Sequence, residues 1–103
     1  YDALVVMANW PVSRQQVWTT LLAARAMENQ CYVCGVNICG TDGTGLDYGH
    51  GSSAIFDYKG RSIGQRHADS PIMAAALRPD RLNDFRDRFP AWRDADPFAL
   101  NGD

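Results

Sequence analysis

The sequence has no apolar run long enough to cross a bilayer, no excess of either charge, a single lysine (Lys59) and only two histidines. Its longest apolar stretches, such as Ala3 to Ala8, fall well short of the roughly 20 residues that a spanning helix requires. The first residues show no charged region leading to an apolar segment and a cleavage site. A formal net charge of -2 offers no electrostatic footprint for nucleic acid or anionic lipid. The expected partners are therefore a small molecule or another protein, with no nucleic acid and no membrane.

Cysteine is scarce as well. Cys31, Cys34 and Cys39 form an odd, clustered set, which does not read as a disulfide framework. On a strand, side chains alternate faces, so Cys31 and Cys34 point to opposite sides and do not grip one ion. Cys31 and Cys39 share a face but lie roughly 26 Å apart at about 3.3 Å per residue, too far for a common zinc site or a bridge. Buried structural thiols are the favoured reading, with a redox or catalytic role for Cys34 as the alternative. No metal and no cofactor is implied.

What is present suits one globular α/β domain: 103 residues, 46% hydrophobic and 21% charged. The run Ala3 to Ala8 predicts a strand covered on both faces. Pro11 excludes helix at the residue before it, Ser13 is a candidate N-cap, and residues 14–29 lack Gly and Pro, so a helix is expected there. On its wheel Trp18, Leu22, Arg25 and Asn29 form one stripe, flanked by Val17, Leu21 and Glu28. The buried face would then carry Arg25, Glu28 and Asn29 at its C-terminal end. A strand is expected in residues 31–40, a glycine-rich loop in 41–51, and a strand in 52–58. Lys59-Gly60 marks a hairpin turn, with a return strand over 61–65 and a further strand near 71–77, so that the strands after the helix form a meander. Pro79 opens a charged helix to Arg88, and the tail over 89–96 reads as extended, with Trp92 and Phe98 as apolar anchors.

Several constellations invite function. Gly43, Gly45, Gly49 and Gly51 follow neither the Walker nor the dinucleotide pattern, so a flexible connection with positive φ is favoured over a substrate-site loop. His50 and His67 have no carboxylate at helical or strand spacing, which favours packing over ligation. Arg25 and Glu28 stand at i, i+3 and form a candidate structural clamp, the alternative being that Glu28 or Asn29 reaches an active-site shell. Asn9-Trp10 sits where an apolar strand turns toward a helix, the ligand-facing end of open α/β sheets. A pocket role and a turn-plus-core role are both open for this pair. Asp80, Arg81, Asp84, Arg86, Asp87 and Arg88 read as a solvated mixed-charge helix face.

The order of these segments resembles the second half of a carbon-nitrogen hydrolase of the nitrilase superfamily. The resemblance rests on Ala8-Asn9-Trp10-Pro11, on Trp18, Leu22 and Arg25-Ala-Met-Glu-Asn-Gln30, and on a strand with Tyr32, Val33, Gly35 and Asn37. It continues through Gly40-Thr-Asp-Gly43 and Gly51-Ser-Ser53 to a tail, Phe85-Arg86-x-Arg88-Phe-Pro-Ala-Trp92-x-Asp94-Ala-Asp96, similar to the endings of ω-amidase-like members.

The resemblance implies an α/β fold, the C-terminal portion of a four-layer α-β-β-α sandwich, with residues 1–103 as a partial hydrolase domain whose C-terminal extension starts near residue 79. It implies an amidase that cleaves small ω-amides of dicarboxylates, of the 2-oxoglutaramate type, through a Cys thioester. The family's Glu, Lys and Cys would lie upstream of this chain, since nothing here matches the nucleophile's elbow and Lys59 sits in a turn. It also implies that Asn9, Trp10 and the glycine loop border the substrate pocket, that Trp18, Arg25, Glu28 and Asn29 are structural, and that the Trp18 to Asn29 helix lies near a homodimer interface. The parent would be cytoplasmic. A non-catalytic interaction or remnant domain that keeps the scaffold is the competing expectation.

Overall fold

The computed structural model describes residues 1–66 and 70–102, so His67 lies outside the described residues. Strand β1 (Ala3–Ala8) is followed by a 3-10 turn (Val12–Arg14), helix α1 (Gln15–Asn29), strand β2 (Tyr32–Asn37) and strand β3 (Ala54–Phe56). Two short strands, β4 (Gln65–Arg66) and β5 (Met73–Ala74), precede helix α2 (Pro79–Arg88) and a second 3-10 turn (Ala91–Asp94). The main sheet has the order β1-β2-β3, with β1 and β2 parallel from Ala3 opposite Tyr32 to Ala8 opposite Asn37, and β2 and β3 antiparallel. Parallel neighbours need a crossover, and α1 supplies it.

The core lies between α1 and one face of this sheet. Trp18, Leu22 and Ala26 pack with Cys31, Val33 and Phe56, and Leu4, Val6, Ala8 and Ala54 close the edges. Each fully buried aliphatic side chain such as Val33 stabilises the fold by about 1.5–3 kcal/mol relative to an exposed one.

β1 is covered on one face only, contrary to the reading of its continuous apolar run. Burial alternates along it, and Val5 and Met7 are 61% and 80% exposed. The residues at even positions meet α1, while those at odd positions face away with Val36 of β2. The buried stripe of α1 also differs from the one expected. It runs through Trp18, Leu22, Ala26 and Gln30, while Arg25, Glu28 and Asn29 are exposed. A wheel gives nearly equal weight to i+3 and i+4 continuations, and the sheet selects the second because Ala26 permits closer approach than Arg25.

Both ends of α1 are set by backbone geometry. Ser13 is not the N-cap: it lies inside the 3-10 turn, and Arg14 precedes the helix without a side-chain cap. At the other end Gln30 adopts the left-handed conformation (φ 48°), with its N–H donating to Met27 O and that of Cys31 to Ala26 O, a Schellman closure. Glycine usually fills that position. Here the Gln30 side chain is buried and donates through Nε2 to Phe89 O at 2.8 Å.

The later strands do not form a simple meander. Asp57 accepts from the amides of Lys59 and Arg61 and tightens the Lys59-Gly60 turn, after which the return segment makes only an isolated bridge, Phe56 with Ser62. β4 pairs instead with β5 in a separate antiparallel sheet. The tail is not extended throughout, since residues 91–94 form a 3-10 turn, and Trp92 and Phe98 are 60% and 84% exposed and so are not buried anchors among the described residues. α2 is more than a solvated face. Pro79 and Asp80 open it, Leu82 is completely buried, and Tyr58 stacks on Phe85 at 4.8 Å.

Candidate functional site

β1 and β2 run parallel, so both deliver their C-terminal ends to one edge of the sheet, where Asn9, Trp10, Asn37 and the glycine loop meet. Pro11 has no N–H and ends strand pairing; its φ of -70° and ψ of 153° turn the chain toward α1. Asn9 is exposed and Trp10 half-buried. The Trp10 ring lies 5.7 Å from that of Trp18, tilted by 35°, and the Arg14 guanidinium sits over it at 5.0 Å. Trp10 Nε1 donates to Arg14 O at 2.6 Å, and Trp18 Nε1 donates to Ser52 O at 2.9 Å. Trp10, Trp18, Asn37, Tyr48 and Ser52 enclose a gap too small for a water molecule. Trp10 is thus packed by Trp18 and Arg14, beside an exposed Asn9.

Asn37, which the sequence presented only as one member of a longer motif, is the hub of this edge. Its side-chain Oδ1 accepts from Trp10 N–H at 2.7 Å, while Nδ2 donates to Trp10 O at 2.9 Å and Gly51 O at 2.7 Å. No local pattern announces it, because its partners are 27 and 14 residues away.

The glycine loop is closed by its own hydrogen bonds. Tyr48 N–H donates to Gly40 O at 2.8 Å and Gly40 N–H to Gly49 O at 2.9 Å. Positive φ occurs at Gly40, Gly45, Gly49 and Gly51, as anticipated for three of the four glycines singled out; Gly43 has none. At Gly51 a Cβ would come within 2.8 Å of Ile38 O, so the close approach of two backbones also demands glycine there. Asp42 organises the tip. Its Oδ1 accepts from the Thr44 amide at 2.8 Å and the Thr44 hydroxyl at 2.6 Å, and its Oδ2 accepts from the Tyr48 hydroxyl at 2.8 Å. These donors, the Thr44 hydroxyl first, hold the Asp42 carboxyl at about 2, below its ordinary 3.8. The same bond raises the Tyr48 phenol above its ordinary value. The Asp42-Gly-Thr44 spacing of an Asx turn is the signal that exposes this tip in a sequence.

The remaining candidates lie elsewhere. α1 begins beside Trp10 and carries Glu28 about 20 Å farther along its axis at 1.5 Å per residue. Arg25 pairs with Glu28 through Nη1 and Oε1, both side chains about half exposed, and Asn29 Nδ2 donates to Arg25 O at 2.9 Å. The pair exists, but on the solvent side of α1, so no buried guanidinium has to be compensated. Cys31 is completely buried, Cys34 half-buried and Cys39 exposed, so the expectation of buried thiols fails for Cys39. Burial raises the Cys31 pKa, offset in part by the charge of Arg86. His50 is exposed. Among the described residues, no group of three or more His, Cys, Asp or Glu side chains is arranged to hold a metal, and no helix is long and apolar enough to cross a membrane.

At the opposite end of the sheet Arg86 gathers distant segments. It donates through Nε to Gln30 O at 3.0 Å, through Nη1 to Asp2 Oδ1 at 2.7 Å and through Nη2 to Tyr1 O at 2.9 Å. Nothing local in the sequence separates Arg86 from the solvated charges of its helix, because its acceptors are 56 to 85 residues away.

Comparison with known proteins fits this geometry. The carbon-nitrogen hydrolase family model matches residues 2–87. Omega-amidase YafV of Escherichia coli (strain K12) is 42% identical over 106 residues, covering 97% of this chain and 39% of that protein. The 2-oxoglutaramate amidase of Paenarthrobacter nicotinovorans is 39% identical over 100 residues, covering 95% of this chain and 33% of that protein. This chain therefore spans well under half the length of these relatives. Among solved structures, the CN-hydrolase superfamily protein XC1258 from Xanthomonas campestris superimposes with a TM-score of 0.77 at 35% identity, over 98% of this chain and 38% of that one. The C. elegans NitFhit protein gives 0.69 at 28% identity, over 90% of this chain and 23% of that one. With an α/β fold shared with these structures and a family match across most of its length, the chain belongs to the carbon-nitrogen hydrolase family of the nitrilase superfamily, on its ω-amidase-like branch.

Proposed function

We propose that this chain is the C-terminal part of an amidase that hydrolyses the C–N bond of small ω-amides of dicarboxylates, of the 2-oxoglutaramate type, to the acid and ammonia. The observation that carries this reading is the 42% identity to an omega-amidase over nearly the whole chain. In the proposed reaction a cysteine thiolate adds to the amide carbonyl, a lysine stabilises the oxyanion, and a glutamic acid protonates the departing ammonia. Water, deprotonated by the glutamate, then releases the acid from the thioester. All three groups belong to the segment upstream of Tyr1.

The residues of this chain shape the site. Asn9, Trp10 and the glycine loop border the pocket, supported by the exposure of Asn9 at the C-terminal edge of a parallel pair, where α/β sheets bind ligands. The open face of Val5, Met7 and Val36 supports a further layer over the sheet, as in a four-layer sandwich. Val17 and Leu21 line a shallow apolar cleft with Gln16 and Thr20 on the outer side of α1, which supports a homodimer packed through that helix. Cys31 supports an upstream nucleophile: it is completely buried, and burial raises its pKa and so lowers its thiolate fraction. The parent would act in the cytoplasm.

The test is ammonia release from 2-oxoglutaramate by the purified chain and by a form extended upstream to the length of its relatives. Turnover is expected only from the extended form. Turnover by the short chain would overturn the upstream triad, and inactivity of both would favour a non-catalytic domain that retains the scaffold.

A further inference from the structure

From the contacts at the C-terminal edge of the sheet, we infer that Asn37 is a positioning residue for substrate: one side-chain amide holds the Asn9-Trp10 turn and the glycine loop in a fixed relation. The inference rests on the hydrolase reading, in which those two segments are walls of the pocket.

Pairing between β1 and β2 ends at Ala8 opposite Asn37, with Ile38 N–H still donating to Ala8 O at 3.3 Å. Beyond that point the chain turns away at Pro11, and the main chain of Trp10 would lose its ladder partners. The Asn37 side chain takes their place. Like a peptide group it offers both an acceptor and a donor, which meet Trp10 N–H at 2.7 Å and Trp10 O at 2.9 Å. Its second N–H is 2.7 Å from Gly51 O. Both N–H bonds and the carbonyl oxygen of the amide are thereby engaged.

The main chain of Asn37 is held as well. Its N–H donates to Ser53 Oγ at 2.9 Å, and that hydroxyl lies 3.4 Å from Asn37 O. The amide is therefore fixed on β2 while it ties two segments whose other main-chain link is the Val12 N–H bond to Asp47 O at 3.0 Å, farther from the end of the strands. Aspartate has the same shape but no donor, and it would present a carboxylate to the carbonyl oxygens of Trp10 and Gly51. Serine is too short to reach both.

The consequence is specific. Asn9, Trp10 and the loop contact substrate without taking part in bond making, so loosening them weakens binding more than chemistry. In the extended protein, Asn37→Asp is expected to raise KM for 2-oxoglutaramate about tenfold while kcat changes less than about threefold. Hydrogen exchange at the Trp10 amide is expected to accelerate at least about tenfold. A purely structural role would lower the active fraction, reducing apparent kcat at unchanged KM.

Folded Asn37→Asp with wild-type KM, or with Trp10 exchange as slow as in wild type, would overturn the inference. Should Asn37→Asp fail to fold, Asn37→Ser is read in the same way, and failure of both to fold assigns Asn37 to the fold alone and also overturns it. A wild-type extended protein without turnover, but with slow Trp10 exchange that Asn37→Asp accelerates, would sink the hydrolase reading and leave Asn37 as the tie between the two segments.

Discussion

Gly35 of β2 has no side chain because Leu22 of α1 occupies the space where one would be. A Cβ there would overlap Leu22 Cδ1 and come within 2.9 Å of the Trp18 ring. The contact sets how closely α1 approaches the sheet. Gly35→Ala is expected to destabilise the fold by about 1–3 kcal/mol through overpacking, and Leu22→Ala by about 2–5 kcal/mol through the cavity it leaves. Because each change relieves the other, the double variant should lose less than the sum. Urea denaturation of the four proteins measures this coupling, and simple additivity would contradict it.

The tip of the glycine loop should keep its structure over a wide pH range. Asp42 titrates at about 2 when folded, against an ordinary 3.8, so its contribution is complete above the ordinary value and lost as pH falls toward 2. The raised pKa of Tyr48 works in the opposite direction. Its contribution is complete below the ordinary 10.0 and disappears as pH rises through the folded value. NMR titration should therefore show the Asp42–Tyr48 contacts unchanged from about pH 4 to 10. Removing the largest cause, by Thr44→Ala, should move the Asp42 midpoint upward toward 3.8.

Arg86 joins α2 to both the start of β1 and the end of α1. Its ion pair with Asp2 has a largely solvent-exposed carboxylate and contributes little. The bonds to the carbonyls of Tyr1 and Gln30 matter more, because the Arg86 side chain is mostly buried. Arg86→Ala is expected to cost about 1–3 kcal/mol, nearly independent of salt. Arg86→Lys should recover only part of that, since an ammonium does not reproduce the guanidinium's divergent donors. Denaturation at low and high ionic strength tests both statements, and a strongly salt-dependent loss would point to the ion pair instead.

The three cysteines should alkylate in the order Cys39, Cys34, Cys31. Exposure decreases along that series, and burial raises the Cys31 pKa, which lowers its thiolate fraction at neutral pH. Timed iodoacetamide labelling with mass spectrometry reads the order. In the extended protein, Cys31→Ala should leave ammonia release near wild type, and its abolition would contradict the upstream nucleophile.

The two long elements were legible because they depend on local chemistry. An apolar run ended by Asn-Trp-Pro reads as a strand and a turn, and a stretch without Gly or Pro reads as a helix, as β1 and α1 show. The failures share a physical cause. A helical wheel does not register what the helix packs against, and so it puts Arg25 rather than Ala26 on the buried stripe. Apolar composition does not tell which neighbours are present, so the run Ala3 to Ala8 predicts cover on both faces where β1 has it on one. The short strands β4 and β5 depart from the expected meander by pairing with each other in a sheet of their own, and two residues are too few to show the alternation that marks a strand.

By itself, then, the sequence determined the types of β1, α1, β2 and α2, the turn chemistry of Pro11, Lys59-Gly60 and the loop glycines, and the family to which the chain belongs, all of which are encoded over short spans or in their order. Only the tertiary structure decided which face of α1 is buried, that Asn37 ties Trp10 to Gly51, and that Arg86 reaches Tyr1 and Gln30. Those contacts join residues 14 to 85 positions apart. Their hydrogen bonds form only where the folded backbone brings donor and acceptor within about 3 Å, a distance that no local pattern carries.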